Sequence, residues 1–352
     1  MLFTEVEKIN PNRLQEYEAV FLKAAGVIQE GGLVAFPTET VYGLGADALN
    51  PDAVRKIYEA KGRPSDNPMI IHVASKEEAT RYAKNVPPAG ELLMEAFWPG
   101  PLTLIFPKAD IVPMETSGGL DTVAIRFPKH PVARRLIELS GRPIAAPSAN
   151  SSGKPSPTKA SHVFFDLKGK VELILDGGSC GFGIESTIVD VTGEIPCLLR
   201  PGSVTLEMLE EVLGRVLVDP VVLDAEAKGK PKAPGMKYIH YSPLAKVTLV
   251  LGAEKKVADK INSLIDSTKE KAGVLASDQT LSYYDSEKCL VLSLGDRDKP
   301  ETLAANLFKM LRKFDFLGVN QVYAEGFSEK ELGLAIMNRL KKAAGYDIIN
   351  LD

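Results

Sequence analysis

NPDAVRKIYEAKGRPSDNPMIIHV, residues 50–73, is the stretch on which the fold of this chain turns. Asn50 offers a side-chain oxygen to helix-start amides. Pro51 suits the first helical position, where no N–H is needed, so a helix runs to about Ala60. Gly62 and Pro64 stop it, and the apolar run Met69–Val73 reads as a buried strand. Helix, tight loop and strand in immediate succession point to an α/β fold. The loop Lys61-Gly62-Arg63-Pro64-Ser65-Asp66-Asn67-Pro68 carries two cations two residues apart, so both can face one pocket. A single cation there would be an ordinary helix C-terminus, favoured by the negative end of the dipole. Pro64 and Pro68 stiffen this loop beyond what a solvated helix end needs. Further on, Pro147-Ser148-Ala149-Asn150-Ser151-Ser152-Gly153-Lys154 is crowded with hydroxyl and amide groups. Together the two loops offer the positive charge and neutral donors that hold a polyphosphate. No G-x-x-x-x-G-K-[ST] sequence occurs, so a nucleotide would be held in another way.

The same pattern extends in both directions. Upstream, Asn10-Pro11 opens a helix to Ile28, Gly31-Gly32 ends it, and Leu33–Phe36 forms a short strand closed by Pro37. Downstream, Ser75-x-x-Glu78 is a capping box for another helix. Strands are expected at Leu102–Phe106, Thr122–Phe127, Ile144–Ala146, Val171–Leu175, Thr187–Val191 and Cys197–Leu199. Helices are expected at His130–Leu139, Thr158–Leu167 and Thr205–Leu213. Strands joined by turns, mixed with helical crossovers, imply a mixed sheet. Residues 1–213 form one domain on this reading. Residues 214–245, which include Lys228-Gly229-Lys230-Pro231-Lys232-Ala233-Pro234-Gly235, have the composition of a linker. Residues 246–352 form a smaller α/β domain of Rossmann type. Its strands are Val247–Leu251, Gly273–Ala276, Cys289–Leu292 and Gln321–Ala324; its helices are Glu254–Lys269, Glu301–Phe314 and Glu329–Ala343. It lacks G-x-G-x-x-G, which argues against a dinucleotide role.

Composition narrows the function classes. The 352 residues are 45% hydrophobic and 25% charged, as in an ordinary globular protein long enough for two cores. A net charge of -4 argues against a surface devoted to nucleic acid, while leaving room for a local basic cleft. No apolar run is long enough to cross a bilayer and Met1 to Asn12 lacks a signal peptide's pattern, so a cytoplasmic protein without membrane contact is expected. Cys180, Cys197 and Cys289 are three widely spaced cysteines, which fits reduced thiols. Neither they nor the histidines His72, His130, His162 and His240 have metal-ligand spacing. Cys180, in a glycine-rich turn, has no neighbouring base to make it a nucleophile.

Several motifs carry chemistry. Phe36-Pro37-Thr38-Glu39-Thr40-Val41-Tyr42-Gly43-Leu44-Gly45 leaves a strand and enters a loop. It reads either as a simple turn or as a ligand wall at a strand's carboxyl end. His72 interrupts an apolar strand and reads more readily as a satisfied sheet histidine than as a ligand contact. Arg126 interrupts Val123-Ala124-Ile125-Arg126-Phe127, and a buried arginine needs an anionic partner: Asp121, Glu39 or a substrate carboxylate. Arg200 repeats the device before Pro201-Gly202. Four cations could then converge. Gly177-Gly178-Ser179-Cys180-Gly181-Phe182-Gly183, followed by Glu185-Ser186-Thr187, reads equally as an anion-facing loop or a hairpin.

In this order, the motifs resemble those of the threonylcarbamoyl-AMP synthase, or YrdC-like, family over about residues 15 to 213. The key pattern is Lys-x-Arg with Ser-x-Asn, here Lys61, Arg63, Ser148 and Asn150, supported by residues 37–44 and 186–190. The linker sequence from Ala233 to Pro243 and the trailing α/β domain look like the long, two-domain form. The resemblance implies an N-terminal YrdC-like twisted mixed sheet around a basic cavity, plus a smaller C-terminal Rossmann-like α/β domain. It implies that L-threonine, bicarbonate and ATP give threonylcarbamoyl-AMP and pyrophosphate, for modification of adenosine 37 in tRNA. The catalytic tetrad would be Lys61, Arg63, Ser148 and Asn150. ATP would be bound by Arg63, Asn67, Thr122, Ser148, Ser156 and Arg200, with Tyr241 reaching back from the linker as a lid. Threonine would meet Thr40, His72, Arg126, Ser186 and the backbone at Ala146. Mg²⁺ would be carried by the phosphates rather than by a protein site. Implied partners are threonylcarbamoyl-transfer proteins acting on tRNA, with a weak tRNA contact.

Two rivals come from other readings. Related domains in hydrogenase-maturation carbamoyltransferases use carbamoyl-adenylate chemistry, but sit beside zinc-finger-like and acylphosphatase-like modules that this sequence lacks. An RNA-binding module would grip tRNA backbone in the same basic cavity, with a steep salt dependence.

Overall fold

The helix Pro51–Lys61 forms as its ends dictate. Asn50 Oδ1 accepts from the amides of Asp52 and Ala53 at 3.0 and 3.2 Å, and Gly62 closes the helix in the left-handed region at φ +63°. Val54, Ile57 and Tyr58 bury its inner face, each worth about 1.5–3 kcal/mol against exposure. The computed structural model describes residues 2–223 and 241–351. They divide into two units: residues 2–152, 156–181 and 185–223 in the first, and residues 153–155, 182–184 and 241–351 in the second.

The first unit is built on a mixed sheet of eleven strands: β1 (Glu5–Lys8), β2 (Val34–Pro37), β3 (Tyr42–Asp47), β4 (Ile70–His72), β5 (Leu102–Pro107), β6 (Thr122–Arg126), β7 (Ile144–Ala145), β8 (Leu173–Asp176), β9 (Thr187–Asp190), β10 (Cys197–Arg200) and β11 (Leu217–Val218). Their order is β1-β8-β2-β3-β7-β4-β6-β5-β9-β10-β11. Neighbours such as β4/β6 and β5/β9 run parallel, whereas β5/β6 and β9/β10 run antiparallel. Side chains alternate between the two faces of such a sheet. On one face Ile71, Leu104, Ile125, Val189 and Leu198 join the main core, which continues through Val54, Ile57 and Leu93. On the other face Ile70, Ile105, Ala124, Ile188 and Leu199 make a small separate cluster.

The structure corrects the reading of residues 42–45: with residues 46 and 47 they form the fully buried strand β3, paired with β2 and β7, where the sequence suggested a loop. Gly43 and Gly45 are there for closeness. A Cβ on Gly45 would come within 2.7 Å of Ile144 and of the Phe36 ring. The predicted helix from Asn10 is narrower than expected, with a 3-10 turn at Leu14–Tyr17 before the α-helix Glu18–Gln29. Ser75 caps as expected, its Oγ accepting from the Glu78 amide at 3.1 Å, although only one helical turn follows. The helix Pro88–Phe97 and strand β1 had no sequence reading, and β11 falls in the stretch read as linker. Most of the expected linker, including Lys228–Gly235 and His240, lies outside the described residues.

The second unit holds a five-stranded, wholly parallel sheet: β12 (Lys246–Leu251), β13 (Ala272–Ala276), β14 (Leu290–Ser293), β15 (Gln321–Glu325) and β16 (Ile348–Asn350). The helices Glu254–Ser267, Pro300–Phe316 and Leu332–Ala343 alternate with the strands, as the sequence pattern indicated. The strand order is β14-β13-β15-β12-β16, which places the fourth strand of the unit between its first and second. Among the described residues, no helix is long and apolar enough to cross a membrane.

Candidate active site

The polar residues of the first unit gather on the sheet face that carries the small apolar cluster. In the β4/β6 register His72 is opposite Arg126, and in the β6/β5 register Arg126 is opposite Thr103. Thr103 Oγ1 lies 2.8 Å from Ser186 Oγ, just ahead of β9. Arg200, at the end of β10, donates from Nε to the Ser186 carbonyl and from Nη2 to Ser186 Oγ, both at 3.0 Å. His72, Arg126, Thr103, Ser186 and Arg200 thus form one polar row across five adjacent strands, β4-β6-β5-β9-β10.

Arg126 is buried, and of the partners open to it the structure selects Glu39. Its Nη2 donates to Glu39 Oε1 at 2.7 Å, Nη1 to Thr40 Oγ1 at 2.9 Å, and Nε to the Gly100 carbonyl at 3.3 Å. Glu39 Oε2 accepts from the amides of Lys129 and His130 at 3.2 and 3.3 Å. Burial alone would raise the Glu39 pKa, but the Arg126 charge and these hydrogen bonds hold it below the ordinary carboxylate value. Thr38 donates to the Val41 carbonyl at 2.6 Å, so the 2.8 Å contact with Thr40 requires Thr40 to be the donor. The Thr40 hydrogen is therefore used, and its oxygen lone pairs face Arg126. The segment 38–40 is a turn between β2 and β3, stapled to the row through Glu39 and Thr40.

Burial and the nearby Arg126 charge push His72 down to about 3, so the imidazole is neutral at pH 7. Its Nδ1 lies 3.1 Å from the Ile70 carbonyl, an acceptor, so Nδ1 carries the hydrogen and Nε2 is left as an acceptor.

The cationic loop forms the second half of the site. Lys61, only 4% exposed, donates from Nζ to the carbonyls of Ser148 and Asn150. Ser148 Oγ donates to Asn150 Oδ1, and the Asn150 amide group to the Ser151 carbonyl at 2.8 Å. The Ser148 loop is anchored to the sheet by Leu44 N to Pro147 O at 2.9 Å and Ala146 N to Ile70 O at 2.9 Å. Ile70 is two residues from His72 on the same face, so the Ala146–Asn150 loop adjoins the polar row. Arg63 folds back on its own loop, donating to the carbonyls of Asn67 and Pro68 at 3.3 and 3.0 Å. Ser156 donates to the buried Glu185 carboxylate, next to Ser186.

Of the predicted site residues, Thr40, His72, Arg126, Ser186 and Arg200 meet directly or in register, and Lys61, Ala146, Ser148 and Asn150 adjoin them. Thr122 lies at the opposite end of β6, on the Arg126 face and about 13 Å along the strand. Asn67 is buried beneath Tyr58, whose hydroxyl donates to its carbonyl at 3.2 Å. Tyr241 belongs to the second unit, where its ring stacks on Phe308 with centroids 5.1 Å apart. Sequence reasoning missed Thr103. Its signal was the one that exposed Arg126, a lone polar residue inside the apolar strand Leu102–Phe106. Cys180 is buried and its thiol is pushed up by that burial, which removes it as a nucleophile at neutral pH. Among the described residues, no cluster of His, Cys, Asp or Glu is arranged to hold a metal ion.

Residues 26–202 match the family model Sua5_yciO_yrdC, described as Telomere recombination; residues 204–345 match Sua5_C, the threonylcarbamoyl-AMP synthase C-terminal domain. The chain is 55% identical to the threonylcarbamoyl-AMP synthase of Pyrococcus abyssi, over 93% of this chain and 95% of that one. It is 48% identical to the Bacillus subtilis threonylcarbamoyl-AMP synthase over 93% of each. The crystal structure of P. abyssi Sua5 complexed with L-threonine superposes with a TM-score of 0.90 at 51% identity, covering 100% of both chains.

Proposed function

Because this chain belongs to the threonylcarbamoyl-AMP synthase family, a family of enzymes, we propose that it joins L-threonine, bicarbonate and ATP into threonylcarbamoyl-AMP, releasing pyrophosphate. The product then supplies the threonylcarbamoyl group for adenosine 37 of tRNA, through transfer proteins in the same cytoplasm. The observation that carries this reading is the polar row: two buried arginines flank the Thr103 and Ser186 hydroxyls, with a neutral imidazole at the row's end, on one sheet face.

The reaction sets what the site must do. The threonine amine displaces an oxygen of bicarbonate, which leaves as water, to give N-carboxy-threonine. A carbamate oxygen then attacks the α-phosphorus, and the bond from that phosphorus to the pyrophosphate leaving group breaks. Anion attacks anion, so fixed positive charge and donors matter more than a protein nucleophile. Arg126 takes the threonine carboxylate, with Glu39 and Thr40 fixing its guanidinium. His72 Nε2 and the Thr40 oxygen accept from the amine, while Ser186 donates to the side-chain hydroxyl and Ala146 adds backbone contact. Lys61, Arg63, Ser148 and Asn150 stabilise the charge developing at the phosphates, with Asn67, Ser156 and Arg200 along the chain. The span from Arg126 to Thr122 suits a long substrate pair, with the nucleotide at the Thr122 end. ATP enters as its Mg²⁺ complex, and the mainly cationic and neutral donors named here suit a metal that arrives on phosphate.

The test is pyrophosphate release from MgATP with L-threonine and bicarbonate each supplied or withheld. Release that needs both is expected. Release that ignores threonine, or none at all, would overturn the reading.

A further inference from the structure

We infer that Thr103 is a positioning residue that turns the Ser186 hydroxyl hydrogen toward the side-chain oxygen of the amino-acid substrate. The inference rests on the reading of Ser186 as a threonine contact and goes beyond it to what makes Ser186 a donor.

The argument is a count of hydrogens. Thr103 is completely buried, and its Oγ1 has one hydrogen-bond partner among the described residues, Ser186 Oγ at 2.8 Å. Ser186 is 1% exposed, and its Oγ already accepts from Arg200 Nη2 at 3.0 Å. Two hydroxyl hydrogens share one mutual bond, so one of them has no acceptor within the protein. A buried hydroxyl that donates nothing is costly. Thr103, walled in near the start of β5, relieves this by donating to Ser186. Ser186 Oγ then accepts two bonds, one from a cation, and such an oxygen is a stronger donor through its own hydrogen. That hydrogen is the unspent one. The neighbouring hydroxyls differ: Thr38 donates to the Val41 carbonyl and Thr40 to Thr38. With the Arg126 guanidinium there for a carboxylate, and with Thr40 and His72 Nε2 able only to accept, the Ser186 hydrogen suits the remaining oxygen of the substrate, its hydroxyl.

Thr103→Val keeps the shape of the side chain and removes its hydrogen. It should raise KM for L-threonine about tenfold, the worth of one hydrogen bond. KM for ATP and the inhibition constant of L-valine (which lacks the hydroxyl) should stay unchanged. Thr103→Ser should restore the wild-type KM. A merely structural role would move the valine and ATP constants together with the threonine value, and that result overturns the inference. So does a silent Thr103→Val beside a damaging Ser186→Ala. If Ser186→Ala is itself silent for threonine, the underlying reading of Ser186 fails, and the inference with it.

Discussion

Each unit of this chain pairs an arginine with a buried or nearly buried glutamate, and the two clusters differ in what they leave over. In the second unit Arg297 donates to Ser277 Oγ at 2.8 Å, the Gly326 carbonyl at 3.2 Å and Glu325 Oε2 at 2.7 Å. Glu325 also accepts from the Tyr284 hydroxyl at 2.6 Å and from the Ser277 amide and hydroxyl, while Thr280 can donate to the Ser277 carbonyl. Every hydroxyl hydrogen in that group has an acceptor. Burial and the Glu325 charge hold the Tyr284 phenol well above its usual pKa, so it remains a donor. In the first unit Arg126 is equally well tied, yet its row leaves a Ser186 hydrogen and a His72 nitrogen lone pair unspent. A closed polar cluster fixes a fold; an open one is half of a complex.

The largest effects should separate the two clusters. Lys61→Met should lower pyrophosphate release per folded molecule at least about 1,000-fold, by removing charge stabilisation at the phosphates. Arg297→Met should leave that rate unchanged and cost about 3 kcal/mol in chemical denaturation, because it strands the buried Glu325. Loss of turnover in folded Arg297→Met would break the comparison.

A smaller effect is the acid sensitivity of the open cluster. Burial and the Arg126 charge lower the folded pKa of His72 to about 3 from the ordinary 6.5. The unfolded chain therefore binds the extra proton first. The His72 contribution to stability is complete above pH 6.5 and is lost as pH falls toward 3. Between pH 7 and pH 5 it should cost about 2 kcal/mol, and the unfolding free energy of His72→Gln should lack that slope. An unchanged slope in the variant would show that His72 is not the titrating group. Smallest, Asn50→Ala should cost about 1 kcal/mol with no change in turnover, calibrating a purely structural hydrogen bond in the first unit. A fall in turnover would show that the helix start reaches the site through Lys61.

Local signals were readable where they are complete in themselves. The Asn50 cap, the Gly62 stop and the alternation of strands and helices in residues 246–343 needed no distant neighbour. Arg126 and Arg200 stood out because charge on an apolar strand is expensive, and Lys61 because it shares with Arg63 a loop stiffened by two prolines. Strand β3 was hidden because its glycines make room for Ile144 and Phe36, which only the assembled sheet brings near. The choice of Glu39 over Asp121 for Arg126 was hidden likewise, since strand order decides it. Thr103 was overlooked because one threonine in a strand is unremarkable until the register sets it beside Arg126. The strand order of the second unit leaves no mark in the pattern that revealed its elements.

If the five-strand row holds threonine as proposed, it also sets when this protein can first grip it. Its members leave the ribosome in the order His72, Thr103, Arg126, Ser186, Arg200, while the sheet seats them as β4, β6, β5, β9, β10. The anchor for Ser186 is therefore absent until residue 200 has been made and paired. Threonine binding by a nascent chain would report closure of the last antiparallel pair, and no shorter N-terminal fragment could hold the amino acid in the same way.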